Sequence, residues 1–139
     1  MSQEGIFAPM IAFTLLVFLV WMRLGFVRIS GGIRGLISME YIRLGTGPQP
    51  PDYVVAIHHH ASNLFEVPVL FYVVCIALFA TRAVDGVAIS LAWFFVLARF
   101  VHTALVLTTN LPTQRVIPYV LSCFSVWGLW LLLGLRVLR

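Results

Sequence analysis

The sequence predicts an all-α integral membrane protein, an up-down bundle of four transmembrane helices. Three observations lead there. Of the 139 residues, 61% are hydrophobic and only 10% are charged, whereas soluble domains average about 45–50% apolar and about 25% charged residues. The apolar residues gather into four runs, each long enough for the roughly 20 residues a membrane-spanning helix needs. Proline, glycine, asparagine and aspartate, which cap or break helices, fall between the runs. A water-soluble globule of this size has too little interior for so much apolar surface, which excludes a soluble enzyme. Four spans leave room for short joints and one real loop, so residues 1–139 read as a single transmembrane domain.

Each element has its own signals. The first span covers about residues 7–27, Phe7 to Val27, and only Arg23 interrupts it. Ser2-Gln3-Glu4-Gly5 precede it without the positive region of a signal peptide, and no small-residue cleavage site follows, so it reads as a retained span. Residues 28–52 form the loop, with Arg28, Arg34, Arg43, the pair Gly31-Gly32 and the breaker-rich stretch Gly45 to Pro51. Within it, Ile37–Ile42 reads as a short interfacial helix. Asp52 offers an N-cap to the second span, residues 53–80, and Asp85 offers one to the third, residues 86–107. Thr108 to Pro112 turn the chain into the fourth span, residues 113–138.

The nine basic residues, all arginine, outnumber five acids and give a net charge of +4. They are scattered, with no basic stripe interleaved with aromatics, so nucleic acid is not the expected partner and the lipid bilayer is. Arg23, Arg28, Arg34 and Arg43 cluster at the first loop, and Arg115 starts the fourth span at the same end. The positive-inside rule then places loop 28–52 in the cytoplasm and both termini on the non-cytoplasmic side. Arg82, Arg136 and Arg139 fall on the opposite side. Cys75 and Cys123 lie at different depths, so they are expected to be unpaired, small buried hydrophobes.

The informative residues are those that lipid would reject, since an ionised side chain at mid-bilayer costs about 2.5–3.5 kcal/mol on insertion scales. Such residues face the bundle interior, find partners and mark function. The second span carries His58-His59-His60, Asn63 and Glu66, followed by Pro68, and the third carries Arg99 and His102. On a continuous helix His59, Asn63 and Glu66 are spaced i, i+4, i+7 and share one stripe. His58 and His60 point to either side of it. The triplet is therefore no single metal-ligand set, and those two histidines read as interfacial. Measured from the loop end, His59 and His102 lie about 10 Å deep, Asn63 and Arg99 about 15 Å and Glu66 about 20 Å. Arg99 is thus expected to neutralise Glu66, either to fix helix register or to build a pocket opening toward Arg115. Pro68 reads as a packing kink, and Ala88 and Ala92 as a small-residue pair for close helix packing.

The segment His59 to Phe71, with Asn63, Glu66 and Pro68, resembles the second-helix signature of the MAPEG family, the membrane-associated proteins of eicosanoid and glutathione metabolism. The length, the four spans, the long first loop and Ala98-Arg99 on the third span agree with it. The resemblance implies a homotrimer that binds glutathione as co-substrate in clefts between neighbouring subunits, facing the cytoplasm. By that likeness Asn63, Glu66 and Arg99 match glutathione contacts. Arg115 matches the arginine that stabilises the thiolate, with Arg34 from the first loop as the alternative. The chain has His59 where the family pattern has arginine, and His102 and Val106 where it has tyrosines; His59 and His102 take those binding positions. A divergent, bacterial-type member is implied, in a bacterial inner membrane.

Three functions follow as expectations. One is a glutathione-dependent transferase or peroxidase acting on lipophilic electrophiles. The second is a non-catalytic accessory or scaffold subunit of a larger membrane complex, motivated by the missing arginine and tyrosines. The third is a haem- or quinone-binding bundle, motivated by His59 and His102 at equal depth.

Overall fold

A computed structural model describes residues 2–138 of the chain. Six α-helices follow a 3-10 turn at Gln3–Ile6: α1 (Phe7–Ile33), α2 (Met39–Leu44), α3 (Asp52–Asn63), α4 (Val67–Ala80), α5 (Gly86–Leu107) and α6 (Pro112–Val137). No strand occurs among the described residues. Four stretches are long and apolar enough to cross a membrane: Gln3–Ile33, Asp52–Ala80, Gly86–Leu107 and Pro112–Val137. The fold is the all-helical four-span bundle that the hydropathy pattern predicts.

The distribution of side chains is that of a protein dissolved in lipid. Phe26, Phe124, Trp127 and Leu131 face outward, while Arg99, His60, His102, Thr103, Ser122 and Ser125 are buried. With no water outside, apolar side chains gain nothing by hiding, and the polar ones turn inward to find partners. The centre is aromatic. Phe71 stacks on Phe95 with ring centroids 4.1 Å apart, and Phe13 meets Phe95 edge-on at 5.1 Å. Ala88 and Ala92 are fully buried on α5, and nearby Ser125 of α6 donates to the Leu91 carbonyl at 2.5 Å. Both cysteines are free, Cys75 in the core and Cys123 half-buried.

The element boundaries depart from expectation in three places. α1 runs to Ile33 rather than to residue 27, so Arg28 belongs to the helix and not to the loop. Gly31-Gly32 does not break it because Gly31 serves packing. A Cβ there would meet Ile37 Cδ1 at 2.6 Å. The helix ends instead at Gly35 (φ 68°), where Gly35 N–H bonds the Gly32 carbonyl at 3.1 Å and Leu36 N–H the Gly31 carbonyl at 2.8 Å. These are the two bonds of a Schellman ending, for which glycine is the favoured residue. The interfacial helix lies at Met39–Leu44, two residues later than read, capped by Ser38 Oγ accepting from Tyr41 N–H at 3.1 Å.

The second departure is at Asp52. It is the first residue of α3 and makes no capping bond, whereas Asp85 Oδ1 caps α5 by accepting from Ala88 N–H at 2.8 Å.

The third concerns span two, which is not one helix. It breaks at Leu64–Glu66, between α3 and α4. Pro68 lacks the N–H that would bond the Leu64 carbonyl, and its ring crowds that carbonyl. The chain closes the gap with tight bonds, Phe65 N–H to the Ser62 carbonyl at 3.0 Å and Glu66 N–H to the Asn63 carbonyl at 3.4 Å. The proline thus does more than kink the span.

Candidate functional site

At the end of the bundle that carries the first loop, α3, α5 and α6 line an open cavity of 330 Å³. His59, His60 and Asn63 line it from α3, His102 from α5, and Arg115 and Tyr119 from α6. The helix geometry explains who points in. α3 buries Val54, Ile57 and Ala61, a stripe at helical spacing that its C-cap Leu64 continues, and His60 lies on its edge toward α5. α5 buries Phe95, Arg99, His102, Thr103 and Val106 on one face.

His60 therefore corrects the interfacial reading. It is buried, and its Nε2 shares a hydrogen bond with Thr103 Oγ1 at 3.0 Å. His59, expected on the inward stripe, is exposed at the cavity edge. The inward phase of α3 is one residue later than the polar residues alone imply, because the apolar residues set it.

Arg99 is the deepest charge, fully buried at 0% exposure. Its guanidinium lies 5.5 Å from the Phe95 ring and 5.0 Å from the Tyr119 ring, and those faces offset part of its desolvation. Nη1 donates to Asn63 Oδ1 at 2.8 Å. Asn63 Nδ2 in turn reaches Glu66 Oε2 at 3.5 Å, a long contact. The expected neutralisation of Glu66 by Arg99 is thus indirect, through Asn63, and no ion pair joins the two residues. The helix break is the reason: Glu66 sits after the end of α3 and is exposed, so it leaves the stripe a continuous helix would give it. Arg99 Nε and Nη2, and His60 Nδ1, are buried without a partner. Unpartnered buried donors are rare in folded proteins, and an arginine with two of them is primed for an acceptor.

His102 Nδ1 lies 2.8 Å from the Arg115 carbonyl. A carbonyl only accepts, so Nδ1 carries the proton, and in the neutral ring Nε2 keeps its lone pair. Nε2 has no partner and is not among the buried unpartnered atoms, so it remains open to the cavity that His102 lines. The same Arg115 extends its guanidinium along the cavity wall, where Nη1 donates to Asn110 Oδ1 at 2.6 Å. One residue of α6 thereby orients the imidazole with its backbone and offers a cation with its side chain. Pro118 loosens the local helix, since it leaves the Gln114 carbonyl without its helical donor.

The cavity wall brings together His59, Asn63, His102 and Arg115. Arg99 lies behind that wall, joined to it through Asn63 and Tyr119, and Glu66 is attached through Asn63. Arg34 ends α1, exposed, and is not part of the cavity wall. Sequence reasoning missed His60 and Tyr119. The apolar stripe of α3 marks the inward side of His60, and Tyr119 follows Arg115 by i+4, the spacing that puts two side chains on one helix face.

No curated protein and no solved structure matches the chain. The family model that does match describes the MAPEG family and spans residues 6–135, nearly the whole of the four-helix bundle and every residue of the cavity. A four-span chain with this match is a multi-pass membrane protein and belongs to the MAPEG family.

Proposed function

We propose that the chain is a membrane glutathione-dependent transferase or peroxidase acting on lipophilic electrophiles. One observation carries this reading. A buried arginine with two free donors, held by Asn63 and backed by Glu66, lies beside a cavity whose wall carries a second arginine and an imidazole lone pair. Glutathione offers two carboxylates, an ammonium and a thiol. Arg99 suits a carboxylate and exposed Glu66 suits the ammonium. His59 lines the approach.

Chemistry at the thiol needs a proton acceptor and a cation, because the thiolate is the nucleophile. His102 Nε2 takes the thiol proton, and the Arg115 guanidinium stabilises the resulting sulfur anion. The thiolate then forms the new carbon–sulfur bond with an electrophile arriving from the bilayer. It either expels a leaving group such as halide with the electron pair of its bond to carbon, or adds to an activated double bond whose resulting carbanion takes back the proton from the His102 imidazolium. With a hydroperoxide, two thiols are oxidised to the disulfide while the peroxide is reduced to alcohol and water. The apolar outer surface delivers such substrates by partition into lipid. Arg34, outside the cavity wall of its own chain, serves the cleft of a neighbouring protomer in a homotrimer, the alternative position for a thiolate-stabilising cation. The loop end of the bundle faces the cytoplasm of a bacterial inner membrane, in line with the arginine bias.

Calorimetric titration of the purified protein with glutathione, and conjugation of chlorodinitrobenzene, test the reading. Binding and turnover are expected; no binding at millimolar glutathione overturns it. The second reading, an accessory or scaffold subunit, is favoured by His59, which leaves the approach with one fewer arginine donor than the family pattern. Stable co-purification of an inactive chain with a defined membrane complex would select it.

A further inference from the structure

A second cavity lies at the same end of the bundle, on the side of α1. The Schellman ending of α1 and the contact of Ile37 with Gly31 fold the following loop back, and Ser38 and Gly45 cap α2 at its two ends. The folded loop closes a space of 150 Å³ walled by Arg28 from α1, Ile37, Tyr41 and Ile42, and Val54 and His58 from α3. Arg28, Tyr41 and His58 can all donate hydrogen bonds into it. No side-chain hydrogen bond or ion pair engages any of the three among the described residues, and no carboxylate lines the wall. The acid nearest in sequence to Tyr41, Glu40, takes the Thr46 hydroxyl at 3.4 Å. A cavity with donors and no acid is built for an anion.

Its position selects the kind of anion. Arg28 directly follows the apolar run that ends at Val27, so the cavity lies where α1 leaves the hydrocarbon, at headgroup depth. Two of the helices that carry its wall also turn large apolar side chains outward: Phe26, Ile29 and Ile33 on α1 are 72%, 67% and 83% exposed, and Met39 and Leu44 on α2 are each 70% exposed. A soluble anion gains nothing from such side chains, whereas acyl chains pack on them. We propose that this cavity holds the phosphate of an anionic phospholipid, with the Arg28 guanidinium as its main partner and Tyr41 and His58 completing the cradle. The proposal stands apart from the thiol chemistry and survives its failure.

The test reconstitutes the full chain in nanodiscs of phosphatidylcholine and phosphatidylglycerol, then reads the lipid retained after transfer to detergent by native mass spectrometry. Wild type is expected to retain phosphatidylglycerol preferentially. Arg28→Gln should lower that preference by about tenfold. Arg43→Gln should leave it unchanged, since Arg43, on α2, is outside the cavity wall that Arg28 joins. Tyr41→Phe should lower it about twofold, and it decides the matter if Arg28→Gln does not fold; an unchanged preference there overturns the proposal. Equal retention of the two lipids by wild type overturns it too. So does an equal loss in Arg28→Gln and Arg43→Gln, which would mean diffuse attraction of arginines to a charged surface. Displacement of phosphatidylglycerol by millimolar inorganic phosphate alone would assign the cavity to a soluble anion and overturn the lipid.

Discussion

The two ends of the bundle handle polar groups in opposite ways. At the end holding the termini, Gln3, Val84, Asp85 and Arg136 find partners within the chain. Gln3 clasps Val84, donating Nε2–H to its carbonyl at 3.0 Å and accepting its N–H at 3.1 Å. Asp85 caps α5 and pairs with Arg136 of α6. At the loop end, Arg99 keeps two buried donors free, His60 keeps Nδ1 free, His102 keeps a lone pair free and span two breaks. A chain that satisfies its polar groups at one end is able to do so at the other. Leaving them open where a cavity lies beside them is the pattern of a site waiting for its ligand.

That contrast breaks first at Arg99. Arg99→Met keeps much of the buried volume and removes the unpartnered nitrogens, and replacing poorly paired buried charge with apolar groups is often neutral or stabilising. The expected result is an unchanged or raised thermal midpoint together with a loss of about 100-fold or more in glutathione-dependent kcat/KM. If Arg99 only fixes helix register, the same variant instead loses about 3 kcal/mol or more of stability. Parallel melting and kinetics on one preparation separate the two.

His102 sharpens the comparison within the site, because its two nitrogens have different duties. Asparagine places an N–H near the position of Nδ1, so His102→Asn retains the bond to the Arg115 carbonyl and deletes Nε2. Binding of S-methyl glutathione, which has no thiol proton, should stay within about twofold of wild type, while kcat/KM falls roughly 100-fold. The pH profile adds a readout that a structural role would not move. A protonated imidazole has no lone pair, so wild-type kcat/KM falls as acid protonates His102. His60, Arg99, Arg115 and Tyr119 surround that ring and set where the fall occurs. In His102→Asn that limb gives way to one set by the thiol ionising by itself, at higher pH. An unchanged pH profile removes His102 from the proton transfer.

What the sequence made legible follows the physics of each signal. Four spans, the Asp85 cap and the inward face shared by Arg99 and His102 depend on hydropathy and short-range helical spacing, which are local. Glu66 was misplaced because the i, i+7 argument assumes an unbroken helix, and Pro68 ends the regularity on which it rests. The phase of α3 follows from Val54, Ile57 and Ala61 rather than from its polar residues, which moves His60 inward and His59 out. Tyr119 was missed because an aromatic in an apolar span looks like core until the partner helix is known. Whether Gly31 breaks a helix or packs against Ile37 depends on a tertiary contact that no local pattern contains.

The termini end gives the smaller effects. Asp85→Ala removes both the cap on Ala88 N–H and the partner of Arg136, and should lower stability by about 1–2 kcal/mol. Gln3→Ala loses two bonds to one backbone unit, for about 1 kcal/mol. Arg136→Gln is the weakest of these. Arg136 and Asp85 are 40% and 30% exposed, so solvent screens the pair and its removal should cost about 0.5 kcal/mol or less. Asp85 Oδ1 still accepts from Ala88 N–H, so the start of α5 stays intact. Glutathione affinity and kcat/KM should be unchanged, since the cavity lies at the other end of the bundle. A loss of turnover in Arg136→Gln at unchanged thermal midpoint would mean that the two ends are coupled, and that the division of labour between a closed end and an open one is wrong.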